Sequence, residues 1–487
     1  MISAENKKKL IIFLALFLGF DLLSLLSYGF VPVGNLVFGA IVASFLALAL
    51  YKFEYALLII LAEIFVGSKG YLFYFNFNGP VLSVRIAFWL IILSVFLYRF
   101  IGNWWRTGVS PLRYLSRFKP LKHFSFLFAF VIVGLLVAWF NHNELSNIFF
   151  DVNAWLFFAL ILPFYSMAEN ETMRCDFFDK VKFVFIAALI YLGFKTLFSL
   201  FVFTHTLPFA GFLYNWLRDT GVGEVTRVGG GFFRIFFQSH IYAVFAFIIT
   251  SSYFFSELYF ESKLKRIWPF WGLMVLSAAM VVASFSRSFW LGLAVALVGL
   301  FILFLRQGLN KRFFLTLAYT SSAFVVGTLL VALITIFPWP RPGFFSLSLL
   351  SDRVDLSKSE AAVSSRYALL AELKKEICSS PLLGRGLGAT VTYKSNDPRL
   401  LQRSTDGLYT TYAFEWGFLD IWLKLGFIGL LAYLFLLYDI MRKKFSLGIW
   451  ASRALRLTVV ALIVVNIFTP YLNHPLGIIW IILLALF

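Results

Sequence analysis

Apolar runs of about twenty residues, separated by short polar turns, follow one another along the whole chain. A helix rises about 1.5 Å per residue, so about 20 residues are needed to cross ~30 Å of hydrocarbon. Runs near 10–28, 33–50, 55–67, 84–101, 124–141, 149–166, 181–204, 237–256, 268–285, 289–305, 313–337, 414–439, 457–470 and 476–487 predict about fourteen crossings. The third and the last two are short enough to tilt, re-enter or merge with a neighbour, which leaves twelve as the lower count. Barrel strands alternate apolar and polar over about ten residues, whereas these runs are continuous, so a β-barrel is disfavoured. The expected fold is all-α and polytopic, with 12–14 transmembrane helices and one large extracytoplasmic loop. The first run lacks a small-residue cleavage site and is expected to stay as a span.

The polar turns set the orientation, because short loops rich in Lys and Arg remain cytoplasmic. Lys7–Lys9, residues 106–123, 262–266, 306–312 and 441–453 all fall on one side under this alternation. Both termini are therefore expected in the cytoplasm. The net charge of +18 is accounted for by this topology and by anionic lipid, which leaves no basic domain for a nucleic acid. The two cysteines, Cys175 and Cys378, fall on opposite sides and cannot pair; neither has neighbours at metal-ligand spacing, so no metal or other cofactor is expected.

The longest polar segment, residues 338–413, falls outside and divides the chain into four parts: an N-terminal bundle (1–225), a segment with arginine hairpins (226–337), the loop domain itself, and C-terminal helices (414–487). Within the loop, Ser364 or Ser365 can cap a helix whose apolar positions Leu370, Leu373 and Ile377 recur at helical spacing, and "SSP" with Gly384 ends it. Its stripe can rest on lipid or on the bundle. "GRGLG" (384–388) is too short a glycine pattern to define a nucleotide loop.

The same topology brings Arg227, Arg234, Arg287 and Arg366 to the outer end of the bundle, together with His240, Glu415 and His474. Arg287 stands in "SFSRSFW" between two apolar runs, where a permanent charge must reach an interface, a wet cavity or an anion. Ser286 and Ser288 are expected to satisfy the neighbouring backbone. Arginines converging from separate segments suit a diphosphate, because each planar fork binds phosphate oxygens bidentately. Asp420 and Lys424, four apart on one span, are expected to form an internal pair that is more structural than catalytic.

Three blocks resemble the bacterial O-antigen ligase and polymerase family: "SRSFWLGLAVALVGLF", "SSRYALLAELKKEICSSPLLGRGLG" and "EWGFLDIWLKLGFIGLLAYLFLLY". Order and spacing carry the resemblance, which covers mainly residues 226–475. It implies a GT-C-like membrane enzyme of the bacterial inner membrane, with an extracytoplasmic active site, that moves a polyprenyl-diphosphate-linked glycan to a glycan or lipid acceptor. Arg287 matches the family arginine near the lipid diphosphate; Arg227 matches an earlier one, with Arg234 a competing match. Counting back from Gly426 and Gly429 puts Glu415 where the ligases carry histidine. Glu415, raised in pKa by a partly apolar mouth, is the expected base, with His474 the alternative. The missing histidine favours an O-antigen or surface-polysaccharide polymerase, or a divergent transferase, over a ligase. A lipid-linked glycan transporter is the rival class, but no internal repeat supports it.

Overall fold

The computed structural model describes the chain apart from residues 1–3, 77–80, 109–120, 229–230, 260–267, 347–360, 396–406, 444, 446–447 and 487. The first helices are α1 (Ala4–Gly29), α2 (Val31–Tyr51) and α3 (Phe53–Val66), followed by a short hairpin of β1 (Tyr74–Asn76) and β2 (Val81–Ser83). Then come α4 (Val84–Thr107), α5 (Leu121–Phe140), and α6 (Leu145–Trp155), which passes through a 3-10 turn into α7 (Ile161–Ala168). The long α8 (Glu171–Thr204) and short α9 (Ala210–Asp219) lead into a hairpin of β3 (Gly223–Arg227) and β4 (Phe233–Phe237). Four helices follow: α10 (Ile241–Tyr259), α11 (Trp268–Ser284), α12 (Arg287–Leu305) and α13 (Lys311–Ile336). The loop domain holds α14 (Ala361–Ser379), β5 (Val391–Lys394) and β6 (Leu408–Thr411), and α15 (Gly417–Arg442), α16 (Ile449–Phe468) and α17 (Pro475–Leu486) close the chain.

Among the described residues, eleven helices are long and apolar enough to cross a membrane, the α6–α7 unit counting as one. With the shorter α3, α11 and α17 they account for the predicted crossings. This is an all-α, multi-pass membrane protein. One expectation is corrected: the penultimate crossing is not short, because α16 has 20 residues and begins at Ile449. Its two early arginines have neighbours nearby, Arg456 donating to the Lys443 carbonyl at 2.9 Å and Arg453 lying 4.4 Å from the Trp450 ring, and the helix extends through a stretch that reads as loop.

The helices alternate in direction, so the connections after α3, α5, α8, α11, α13 and α16 gather at one end of the bundle. Hydrogen bonds between them confirm it: Asn143 Nδ2 reaches the Arg385 and Leu387 carbonyls at 3.0 and 2.9 Å, and the Lys69 N–H reaches the Gly221 carbonyl at 3.3 Å. At the other end Lys180 pairs with Glu54 at 2.7 Å and His123 with Asp439 at 3.1 Å.

At the first end, α14 lies on the bundle and not on lipid. Its buried stripe is Leu369, Leu373 and Ile377, which packs with Val391, Tyr393, Phe414 and Leu423; Leu370 is only partly buried. The helix spans Ala361–Ser379, so Ser364 and Ser365 lie within its bounds. The chain after it, residues 380–388, enters the bundle between α5 and α15. α15 is broken there at Gly426, which has φ 72° and ψ 175°. The groups this frees are taken by the loop: Arg385 N–H donates to the Leu423 carbonyl at 2.6 Å and Phe427 N–H to the Pro381 carbonyl at 2.9 Å. Non-helical backbone at membrane depth is tolerated when protein surrounds it and pairs its polar groups. The glycines of "GRGLG" serve this threading, since Cβ atoms on Gly384 and Gly386 would lie 2.6 Å and 2.3 Å from backbone nitrogens of Gly426 and Ala138.

Candidate functional site

The site is built around the turn between α11 and α12. Phe285, buried and left-handed at φ 47°, reverses the chain, and Arg287 is the first residue of α12. Its backbone thus lies at the positive end of a helix dipole, where an anion is favoured. The flanking serines behave differently from the expectation. Ser284 Oγ, not Ser286 or Ser288, accepts from turn backbone, at 3.3 Å from the Ser286 nitrogen. Ser286 and Ser288 form a hydroxyl chain, 3.0 Å between them and 3.1 Å on to Thr469.

The β3–β4 hairpin delivers the second arginine. Arg234 Nε donates to the Ser284 carbonyl at 2.8 Å, three residues before Arg287, and its guanidinium lies 4.6 Å from the Phe236 ring. Phe236 stacks on Phe289 of α12, which packs on Tyr471. The strand register separates the two candidate arginines in space. Arg234 pairs across with Thr226, whereas Arg227 pairs with Phe233, so the two point to opposite faces of the ribbon. Arg227 is exposed and is not brought to the α11–α12 turn by any contact of the described residues.

Glu415 and Arg366 form an ion pair at the rim, each side chain about half exposed (50% and 49%). This corrects the apolar mouth expected around Glu415: the carboxylate faces solvent and a guanidinium. It also removes Arg366 from the Arg234–Arg287 group, because α14 carries it to Glu415. Glu415 precedes α15, where the Trp416 ring packs against Phe468 at 5.8 Å.

The two histidines differ in setting. His240 is fully buried; its Nε2 lies 2.8 Å from Thr196 Oγ1 and its Nδ1 accepts from the Phe237 N–H at 3.4 Å. Its buried ring latches the hairpin to α8. His474 lies in the strap of residues 469–474 that joins α16 to α17, and its Nδ1 accepts from the Leu476 N–H at 3.3 Å. Burial first, then the cations of Arg85 and Lys69, push its pKa down to about 3. It is a neutral ring at physiological pH.

The strap itself is held by Tyr433, whose hydroxyl donates to the Leu472 carbonyl at 2.5 Å, and by Asn466, whose Oδ1 accepts from the Leu472 N–H at 2.9 Å. From there Thr469 reaches Ser288, Tyr471 lies against Phe289, and Asn473 donates to Asp420.

Sequence reasoning missed several buried charged groups, among them these two. Arg85 and Glu63 make a bidentate buried pair at 2.7 and 3.0 Å, with the Ser68 carbonyl accepting a third bond at 2.6 Å. Asp151 joins the expected Asp420–Lys424 pair, 2.7 Å from Lys424 Nζ. The signal was present in both cases, since Glu63 and Asp151 are acids inside apolar runs, where an ionisable residue is costly and marks a partner. Their partners come from distant segments that no local spacing reveals.

Fold and site thus define a multi-pass membrane protein with arginines gathered at one end of its helix bundle. Residues 272–434 match the sequence model of the O-antigen ligase family, from within α11 to within α15. That stretch of the chain is similar to a family of glycan-transferring enzymes, and it includes Arg287, Arg366 and Glu415 but not Arg234 or His474. It is narrower than the 226–475 over which the motifs resemble the family. Comparison with curated proteins finds no match.

Proposed function

We propose that the protein transfers a glycan from a polyprenyl diphosphate to an acceptor hydroxyl at the outer face of the bacterial plasma membrane, with both termini in the cytoplasm. The convergence of Arg234 on the Ser284 carbonyl, beside Arg287 at the start of α12, carries this reading. In the reaction the acceptor oxygen forms a bond to the anomeric carbon, and the bond from that carbon to the diphosphate breaks. The diphosphate leaves with the electron pair, and its growing charge is stabilised by the two guanidinium forks without a metal or cofactor. The acceptor proton passes to Glu415, whose carboxylate is open to solvent and fixed by Arg366. His474 is the weaker candidate, because a ring with pKa near 3 accepts protons poorly at neutral pH. Arg227, exposed on the other face of the hairpin, and the Arg366–Glu415 rim are read as glycan contacts.

The acceptor is read as a second lipid-linked glycan, making the protein a surface-polysaccharide polymerase. The specific support is Glu415, which stands where the ligases of the family carry histidine. Transfer from a purified polyprenyl-diphosphate glycan tests both points. A ladder of product lengths supports a polymerase; one addition to a foreign lipid or protein makes it a ligase; movement of the donor across a vesicle membrane without transfer makes it a transporter. Glu415→Gln should reduce turnover about a hundredfold while donor binding survives. Unchanged turnover in this variant places the base elsewhere.

A further inference from the structure

Four side chains that the transfer step leaves unused meet beneath the site: Asp151 from α6, Asp420 and Lys424 from α15, and Asn473 from the strap. Lys424 Nζ lies 2.7 Å from Asp151 Oδ1 and 2.7 Å from Asp420 Oδ1, and its side chain is 2% exposed. Each carboxylate uses its second oxygen to hold another segment. Asp151 Oδ2 accepts from the Gly388 N–H at 2.6 Å, and Asp420 Oδ2 accepts from Asn473. Lys424 Nζ also lies 5.4 Å from the ring of Phe414, the residue before Glu415.

One buried ammonium thus ties together α6, the threaded loop at Gly388, α15 and the strap. A buried ion cluster is a weak source of stability, since apolar residues of similar volume commonly do as well, and its best-attested use is to fix register. The register fixed here is that of the two halves of the site. On one side Phe414 leads into Glu415. On the other, the strap held at Asn473 carries Tyr471 to Phe289 and Thr469 to Ser288, the neighbour of Arg287.

We propose that Lys424 is a positioning residue for glycan transfer: with Asp151 and Asp420 it sets Glu415 against the arginine turn. The inference rests on the transfer reading given above. It makes the network necessary for turnover and dispensable for donor binding and for folding.

The test compares full-length wild type with Lys424→Met and with the triple variant Lys424→Met, Asp151→Asn, Asp420→Asn. The single variant strands two buried carboxylates and can fail to fold; the triple variant leaves no unpaired charge. The triple variant should remain folded and bind a polyprenyl diphosphate with unchanged affinity, while its kcat falls tenfold or more. A second reading needs no activity. Cysteines replacing Phe150 and Tyr412, whose rings stack at 6.1 Å, should cross-link readily with the network intact and poorly without it, in a Cys175→Ser, Cys378→Ser background. Wild-type kcat in the triple variant overturns the proposal, as does loss of the folded protein or a parallel loss of polyprenyl diphosphate binding. If wild type neither binds donor nor transfers glycan, the transfer reading fails instead, and the cross-link then decides only whether the network holds α6 to the segment leading into Glu415.

Discussion

Arg234 holds the Ser284 carbonyl at 2.8 Å, which fastens the β3–β4 hairpin to the turn that presents Arg287. Arg234 and Arg287 are thereby brought to one backbone turn from separate segments of the chain.

Arg287→Lys keeps the charge and loses the planar fork. A charge-assisted contact is worth about 1.5–3 kcal/mol, so transfer should fall roughly tenfold to a hundredfold at normal protein level. In vitro transfer from a lipid-linked glycan measures it, and full activity in the lysine variant reduces Arg287 to a headgroup anchor.

The native cysteines report the orientation. Cys175 is exposed near the start of α8, at the end where Lys180 pairs with Glu54, and Cys378 is exposed on α14, at the site end. A membrane-impermeant maleimide applied to cells with a permeabilised outer envelope should label Cys378, and Cys175 only after the plasma membrane is opened. Labelling of Cys175 alone reverses the proposed topology.

His474 contributes a stability that depends on pH. Its folded pKa, about 3, lies below the ordinary 6.5, so between these values the unfolded chain binds a proton that the folded one does not. The contribution is full above pH 6.5 and is lost as pH falls toward 3, about 2 kcal/mol having gone by pH 5. His474→Asn keeps an acceptor for the Leu476 N–H and removes the titration. Thermal unfolding between pH 7.5 and 5 should show a smaller drop for the variant, and equal slopes would mean that the ring titrates normally.

Gly426 is predicted to resist substitution. Its φ of 72° disfavours any L side chain, at about 1–2 kcal/mol, and a Cβ would lie 2.0 Å from the Leu382 carbonyl oxygen. Gly426→Ala should lower the melting temperature in detergent by several degrees, whereas Gly19→Ala, whose Cβ meets nothing within 4 Å, should not. Equal melting temperatures would show that the loop at 380–388 gives way without cost.

The sequence by itself determined the crossings, because their signal is local: twenty apolar residues in a row must be helical in a bilayer that offers no partner to a free backbone group. It also determined which polar connections share an end, since alternation of direction follows from the count of crossings alone. Arg287 was legible for the same reason, a charge between two apolar runs. Only the tertiary structure decided what each charge meets. The β3–β4 register, set by pairing across the hairpin, put Arg234 and Arg227 on opposite faces of the ribbon. The packing of α14 gave Arg366 to Glu415, and the packing of the hairpin on α8 buried His240 beside Thr196. The break at Gly426 was likewise invisible, because a glycine within an apolar run marks a break only once another segment, here residues 380–388, arrives to take the hydrogen bonds it releases. Asp151 and Lys424 are 273 residues apart, and their pairing follows from helix packing that no local pattern encodes.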